Sequence, residues 1–218
     1  MDVARPRSRS ARPLLLLAAA SSCALGALPV RAAEIGVTPS KLVVIDKLSA
    51  SGKAKAVYVA KDAAVDKGAG ADEADIGAEL VVTYSGASAT ARGGFRLPKG
   101  ASDGVSGWLV NDASGAKYTN KDAPSGATGA KVGLIKQNSR VMVVGKTLGD
   151  TPIDLVNSGA PTGSVFTAFV VDNGGTVNRL CSSFAGCTFK EIAQGTGRKL
   201  ACKSGAPDPL CSRYARRS

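Results

Sequence analysis

Short apolar runs alternate with turn signals along most of this chain, and this alternation constrains its fold more than any other feature. The runs at residues 40–46, 55–61, 79–84, 131–136 and 140–146 have strand length and are separated by segments rich in Gly, Ser, Asn and Asp. No window of helical length has an uninterrupted apolar period of about 3.6 residues. About a dozen short strands at roughly 8–12-residue spacing predict an all-β protein, an antiparallel β-sandwich of immunoglobulin-like or jelly-roll-like type. Two small β-domains are the alternative.

Residues 164–171 give the strongest strand signal. This run is apolar on both faces, which predicts a central strand covered by protein on both sides. Asp172–Gly175 follows as a turn whose Asn and Gly residues tolerate positive φ, so residues 176–181 are expected to return as a partner strand. Asn111–Gly115 is predicted to connect two strands in the same way. Residues 63–77 are small, acidic and interrupted by glycines, which indicates a loop.

The N-terminus has the three parts of a secretory signal peptide. Four arginines between residues 5 and 12 form a positive region, residues 14–28 form an apolar region, and Val30-Arg31-Ala32 offers a cleavage site. We predict that residues 1–32 are a signal peptide and that residues 33–218 form the β-sandwich domain. No second apolar run approaches membrane-spanning length, so we expect no transmembrane helix in the mature chain. The predicted location is secreted or periplasmic.

Cys23 supports an alternative location. A bacterial lipoprotein carries a cysteine at the end of its apolar region, and lipidation of that cysteine anchors the protein to a membrane. The preceding residues, Ala20-Ser21-Ser22, match the expected lipoprotein sequence poorly, and apolar sequence continues to Val30. A surface lipoprotein anchored through Cys23 therefore stays an alternative to cleavage after Ala32.

The other four cysteines, Cys181, Cys187, Cys202 and Cys211, lie close together near the C-terminus. Structural zinc sites prefer cysteines two to four residues apart, commonly with histidine, and this chain has no histidine. Exported cysteines are usually oxidised, so we predict two disulfides. Three pairings are possible, and the local one, Cys181–Cys187 with Cys202–Cys211, needs the least backbone reach. Residues 181–218 are thus predicted to be a disulfide-linked, basic C-terminal segment.

The charge distribution suggests an anionic partner. The chain carries a formal charge of +11, of which the signal peptide accounts for five arginines and Asp2. Much of the remaining excess lies after residue 190, where we predict that Arg213, Arg216 and Arg217 face a ligand. Candidate partners are an anionic envelope polymer, membrane headgroups or another surface protein, and surface charge for solubility is the simpler interpretation. Nothing resembles a nucleic-acid-binding module, so no specific nucleic-acid recognition is expected.

No catalytic, metal-binding or cofactor-binding residue can be assigned. The acidic residues between 66 and 79 do not match a calcium-binding loop and are more simply a solvated loop. A carboxylate-based hydrolase without histidine is the enzymatic alternative, although no spacing diagnoses it. Trp108 is predicted either as a core anchor between the sheets or as a surface platform. As a platform it would face a ligand together with Asn111, Asp112 and Tyr118.

Three stretches of this sequence resemble a family of uncharacterised secreted bacterial proteins. They are the run from Gly107 to Tyr118, the hairpin from Lys131 to Lys146, and Asn178-Arg-Leu-Cys-Ser-Ser-Phe184 ahead of further cysteines. The resemblance implies a bacterial, exported, β-rich protein. The family has no known activity, so the resemblance assigns no catalytic or binding residue.

Together these observations predict a non-enzymatic binding or structural module of the bacterial cell envelope. It is expected to be secreted or periplasmic, and its ligand stays open. The expected ligand-facing elements are the turns at Asn111–Gly115 and Asp172–Gly175 and the basic C-terminal tail.

Overall fold

The computed structural model describes residues 32–47, 53–122, 129–146, 153–192 and 194–211. The predicted signal peptide up to residue 31, including Cys23, and the C-terminal Arg213, Arg216 and Arg217 lie outside the described residues. The described chain is nearly all β, which confirms the predicted antiparallel, disulfide-stapled fold. Its elements are β1 (Ala32–Gly36), β2 (Pro39–Lys47), β3 (Lys53–Lys61), β4 (Gly77–Ser85), β5 (Thr90–Leu97), β6 (Ser106–Asn111), β7 (Gly115–Asn120), β8 (Ala130–Lys136), β9 (Arg140–Lys146), α1 (Leu155–Ser158), β10 (Val165–Asp172), β11 (Val177–Phe184), β12 (Cys187–Ile192), β13 (Gly197–Lys203) and β14 (Ala206–Pro207).

The strands form two sheets. The six-stranded sheet has the order β1-β11-β10-β4-β5, and β14 also pairs with β11. The eight-stranded sheet has the order β12-β13-β2-β3-β9-β8-β7-β6. The pairs are antiparallel except for β1, which runs parallel to β11. The hairpins that the turn signals predicted, β2–β3, β6–β7, β8–β9 and β10–β11, are all present.

One hydrophobic core contains side chains from both sheets. Its largest fully buried side chains include Trp108, Tyr58 and Phe184. β10 lies between β11 and β4, as its apolar character predicted. Its inner residues, such as Phe169, enter this core, whereas Ala168 on its outer face packs in a second buried cluster with Val81, Cys181 and Cys211. The strand is therefore covered on both faces because the C-terminal segment lies over the six-stranded sheet.

Three buried hydroxyl groups link the two sheets at the centre of the core. Tyr58 Oη in β3 lies 2.8 Å from Ser182 Oγ in β11, and Thr167 Oγ1 in β10 lies 2.6 Å from the same Ser182 oxygen. All three residues are fully buried, and burial raises the pKa of Tyr58. Because buried hydroxyl groups are costly without partners, this chain of hydrogen bonds favours one alignment of the sheets.

The disulfide pairing differs from the local pairing that backbone reach suggested. Cys187 pairs with Cys202, and Cys181 pairs with Cys211. Cys187 and Cys202 lie directly opposite each other in the β12–β13 hairpin, with Cα atoms 4.3 Å apart. Cys181 is in β11 of the other sheet, where Cys211 reaches its outer face. The local pairing is wrong because Cys181 and Cys187 are on strands of different sheets.

A crossover loop at residues 62–76 connects the eight-stranded sheet to the six-stranded sheet. It contains no helix or strand, which confirms the predicted loop, and it buries Val65 and Ile76 completely. No helix in the described part of the chain has the length and apolar character to cross a membrane. The crossover loop is hydrogen-bonded to the end of β6, where Val110 N donates to Glu73 Oε1 (3.0 Å). It is also bonded to two turns, where Gln137 Nε2 donates to Asp66 Oδ1 (2.8 Å) and Asn173 Nδ2 donates to Ala69 O (3.0 Å).

Candidate functional site

Trp108 and Tyr118 lie in the core. Trp108 is fully buried, its indole N–H donates a 2.8 Å hydrogen bond to Pro98 O, and its ring centroid is 5.4 Å from that of Tyr118. The two residues are directly opposite each other on the inner side of β6 and β7. Their prediction as ligand-facing residues is therefore wrong. The alternative prediction, Trp108 as a core anchor, describes its position.

Asn111 and Asp112 are exposed in the β6–β7 turn. Asn111 Oδ1 accepts hydrogen bonds from the backbone N–H groups of Ala113 and Ser114, so this side chain shapes the turn. Asp112 is 93% exposed, and its carboxylate lies 3.7 Å from the ammonium group of Lys67, which is buried in the crossover loop. The β10–β11 turn contacts the same loop through Asn173. The two predicted ligand-facing turns are thus both attached to the crossover loop.

Several carboxylates accept hydrogen bonds from backbone N–H groups. Asp62 accepts hydrogen bonds from the N–H of Ala64 and from Thr38, and these lower its pKa. Backbone hydrogen bonds from Ser106 and Val105 likewise lower the pKa of Asp103. A general acid requires the opposite shift. Among the described residues, no group of three or more Asp, Glu or Cys residues is placed to hold a metal ion.

The outer face of the eight-stranded sheet is rich in basic residues. On each strand, alternate side chains enter the core and the others point outward, as β geometry requires. Besides the half-buried Lys47 at the end of β2, the outward positions carry ten basic residues, eight exposed and two half-buried, and the described strands place no Asp or Glu there. We call this surface the lysine-rich face; its basic residues are Lys41, Lys55, Lys61, Lys117, Lys136, Arg140, Lys146, Lys190, Lys199 and Lys203.

Many of these cations lie directly opposite one another on neighbouring strands. Like charges in that position repel and destabilise a sheet. None of the ten basic residues forms an ion pair within 4 Å with a carboxylate of the described structure. The five like-charge pairs are Lys55–Lys146, Lys61–Arg140, Lys136–Arg140, Lys41–Lys203 and Lys190–Lys199.

The outer face of the six-stranded sheet has the opposite arrangement. There Glu34 lies opposite Arg179, and Glu79 lies opposite Arg96. The side-chain atoms of these pairs are 3.8 Å and 4.0 Å apart. The same fold therefore pairs opposite charges on one outer face and like charges on the other. Residues that weaken the fold in this way are commonly retained for function.

A band of small aliphatic side chains crosses the middle of the lysine-rich face. It consists of Ala201, Val43, Val57, Val144 and Val132, which follow one another across five strands and are all partly exposed. We call these five residues the aliphatic band.

Basic residues border the aliphatic band on both sides. On one side, at a distance of two residues along the strands, the border consists of Lys190, Lys199, Lys55 and Lys146. We call these four residues the first lysine line. On the other side, again at a distance of two residues along the strands, the border consists of Lys203, Lys41 and Lys117. A rise of about 3.3 Å per residue puts the two borders about 13 Å apart. The face therefore combines an apolar centre with a cationic rim.

The sequence holds part of the signal for this face. In β2, Lys41, Val43 and Ile45 alternate with the buried Leu42 and Val44. The strand order that collects the lysines of distant strands is not visible in the sequence, so sequence reasoning placed the basic surface in the C-terminal tail alone.

No family model, curated protein or solved structure matches this chain. The resemblance to secreted bacterial proteins stays a prediction, and the lysine-rich face has to be interpreted from its own chemistry.

Proposed function

We propose that this protein is a non-enzymatic, secreted or periplasmic binding module of the bacterial cell envelope that attaches to an anionic lipid surface through its lysine-rich face. The observation that carries the proposal is the set of five like-charge cross-strand pairs. Two disulfides are typical of a protein that folds in an oxidising compartment, in keeping with this location.

The charge pattern favours anionic groups as the ligand. Ten cations on one face raise the local positive potential, and an opposing anionic surface would relieve the repulsion between them. Each Lys or Arg near an anionic membrane contributes about 1 kcal/mol of attraction at physiological ionic strength. The first lysine line alone would then contribute about 4 kcal/mol.

The aliphatic band favours lipid over a hydrophilic polymer. Protein surfaces that bind membranes combine apolar residues with a border of Lys and Arg, whose aliphatic stems lie against apolar atoms while their charges reach headgroups. A soluble polyanion has no apolar surface to cover the band. The carboxylates of Asp62, Asp66, Asp72 and Glu73 in the crossover loop accept backbone hydrogen bonds, so the hydrolase alternative gains no support from their positions.

Vesicle co-sedimentation tests the proposal. The mature chain should sediment with mixed phosphatidylcholine–phosphatidylglycerol vesicles, not with phosphatidylcholine alone, and added salt should release it. Replacing Lys55, Lys146, Lys190 and Lys199 with Gln should lower the vesicle-binding constant by up to several hundredfold, roughly the factor that corresponds to 4 kcal/mol.

A charge-matched control removes four basic residues elsewhere. Arg92, Arg96, Lys99 and Lys121 lie outside the lysine-rich face, and their replacement with Gln should leave vesicle binding within about twofold of the wild type. Equal losses in the two variants would show that net charge, rather than the face, drives attachment. Tighter binding to soluble polyphosphate than to anionic vesicles, per phosphate, would contradict the choice of lipid.

A further inference from the structure

One part of the lysine-rich face is a groove rather than a flat surface. It has a volume of about 410 Å³ and runs between β6, β7, β8 and the start of β9. Its apolar lining includes Leu109 and Leu134, and Leu109 is 55% exposed. The cations Lys117, Lys136 and Arg140 line the same groove. A volume of this size is in the range that accommodates a small organic ligand.

The guanidinium group of Arg140 carries the strongest indication of a ligand. Its Nε atom is buried and has no hydrogen-bond partner, and no other buried side-chain N or O atom of the described residues lacks one. Arg140 also lies opposite both Lys136 and Lys61, so its neighbours repel its charge. Buried donors in folded proteins nearly always have a partner, so the guanidinium group of Arg140, which lines the groove, has hydrogen-bonding capacity that the described residues leave unused.

The rim of the groove is fixed by the β6–β7 turn. Gly115 adopts φ +128°, and a Cβ atom there would lie 1.9 Å from Ile135 O, so this position requires glycine. Asn111 holds the turn through its side-chain hydrogen bonds. The nearest carboxylate of that turn, on Asp112, is paired with Lys67. The groove is therefore preformed.

We propose that this groove binds a single anionic amphiphile, with its phosphate or carboxylate group on Arg140, Lys117 and Lys136 and its alkyl chain against Leu109 and Leu134. The inference rests on the proposed attachment to anionic lipid and specifies a subsite for one lipid molecule on that face. Charge complementarity selects the anionic group, and the leucines select an apolar chain over a fully hydrophilic anion.

Calorimetric titration with three probes tests this assignment. Decyl phosphate, below its micelle concentration, should bind at least about tenfold more tightly than inorganic phosphate, which lacks the chain, or decyl maltoside, which lacks the charge. Arg140→Gln should weaken decyl phosphate binding by about tenfold to a hundredfold, because it removes a charged hydrogen-bond donor. Leu109→Ser should weaken decyl phosphate and leave inorganic phosphate unchanged. Lys121→Gln is the control that removes a charge away from the groove.

The outcomes separate the groove from the whole face. Equal affinity for decyl phosphate and inorganic phosphate, or an unchanged affinity in folded Arg140→Gln, would overturn the groove assignment. Vesicle binding by Arg140→Gln should fall by about fivefold, the factor for the loss of one charge worth about 1 kcal/mol, because the other basic residues of the face remain. If Arg140→Gln loses decyl phosphate binding and still binds vesicles, the groove and the rest of the face bind separately. The variant with four lysines replaced tests attachment through the face and does not test the groove.

Discussion

Reversing one charge on the lysine-rich face should stabilise this protein. Lys55 and Lys146 lie directly opposite each other on β3 and β9, and both side chains are exposed. Lys55→Glu converts a like-charge pair into an opposite-charge pair. Cross-strand charge pairs contribute about 0.2–1 kcal/mol, and solvent exposure puts the expected gain near the lower end, about 0.5 kcal/mol. For a chain of this size that gain raises Tm by about 1–2 °C.

The measurement is thermal unfolding at low and at high salt, with Arg96→Glu as the matched variant. Arg96 faces Glu79 on the other sheet, so Arg96→Glu creates a like-charge pair and should lower Tm by a similar amount. Salt should raise the wild-type Tm by screening repulsion, and it should shrink both mutational effects. A lower Tm for Lys55→Glu at low salt would refute the idea that repulsion between these lysines costs stability.

Three further predictions concern the interior and the C-terminal segment. Replacing both Cys187 and Cys202 with Ala should lower the free energy of unfolding, measured with urea, by about 3 kcal/mol, the value for the 15-residue separation of this disulfide. Peptide mapping that finds Cys181 joined to Cys187 would contradict the pairing. Tyr58→Phe should cost about 1 kcal/mol in the same assay because it removes the hydroxyl group that links the sheets, and an unchanged stability would show that this group is dispensable. Burial, followed by the charges of Asp154 and Asp46, raises the pKa of Tyr84 to about 12, so the stability associated with its neutral form is complete below about pH 10 and is lost as pH rises toward 12. Absorbance titration of Tyr84→Phe should show one fewer late-titrating tyrosine than the wild type, with Tyr58 still titrating late.

The strands were predictable because their signals are local. Alternating apolar residues bounded by Gly, Asn and Asp identified β2, β3, β8 and β9, and short turns fixed their hairpins. The apolar run at β10 correctly indicated a strand covered on both faces.

The pairings between distant segments were not predictable. The sequence does not show that β3 lies beside β9, so it could not show that Lys55 faces Lys146. Backbone reach favoured local disulfides, whereas the β12–β13 hairpin brings Cys202 opposite Cys187. In Gly107-Trp-Leu-Val, alternation places either Trp108 or Leu109 inward, and only packing against Tyr118 selects Trp108.

Lysine footprinting shows which face of the protein attaches to anionic vesicles. The folded protein is acetylated briefly with and without anionic vesicles, and modification at each lysine is quantified by mass spectrometry. Attachment through the lysine-rich face predicts protection of Lys55, Lys146 and Lys190, with Lys99 and Lys121 modified equally in both samples. Protection of Lys99 and Lys121, with the lysine-rich face still reactive, would contradict attachment through that face.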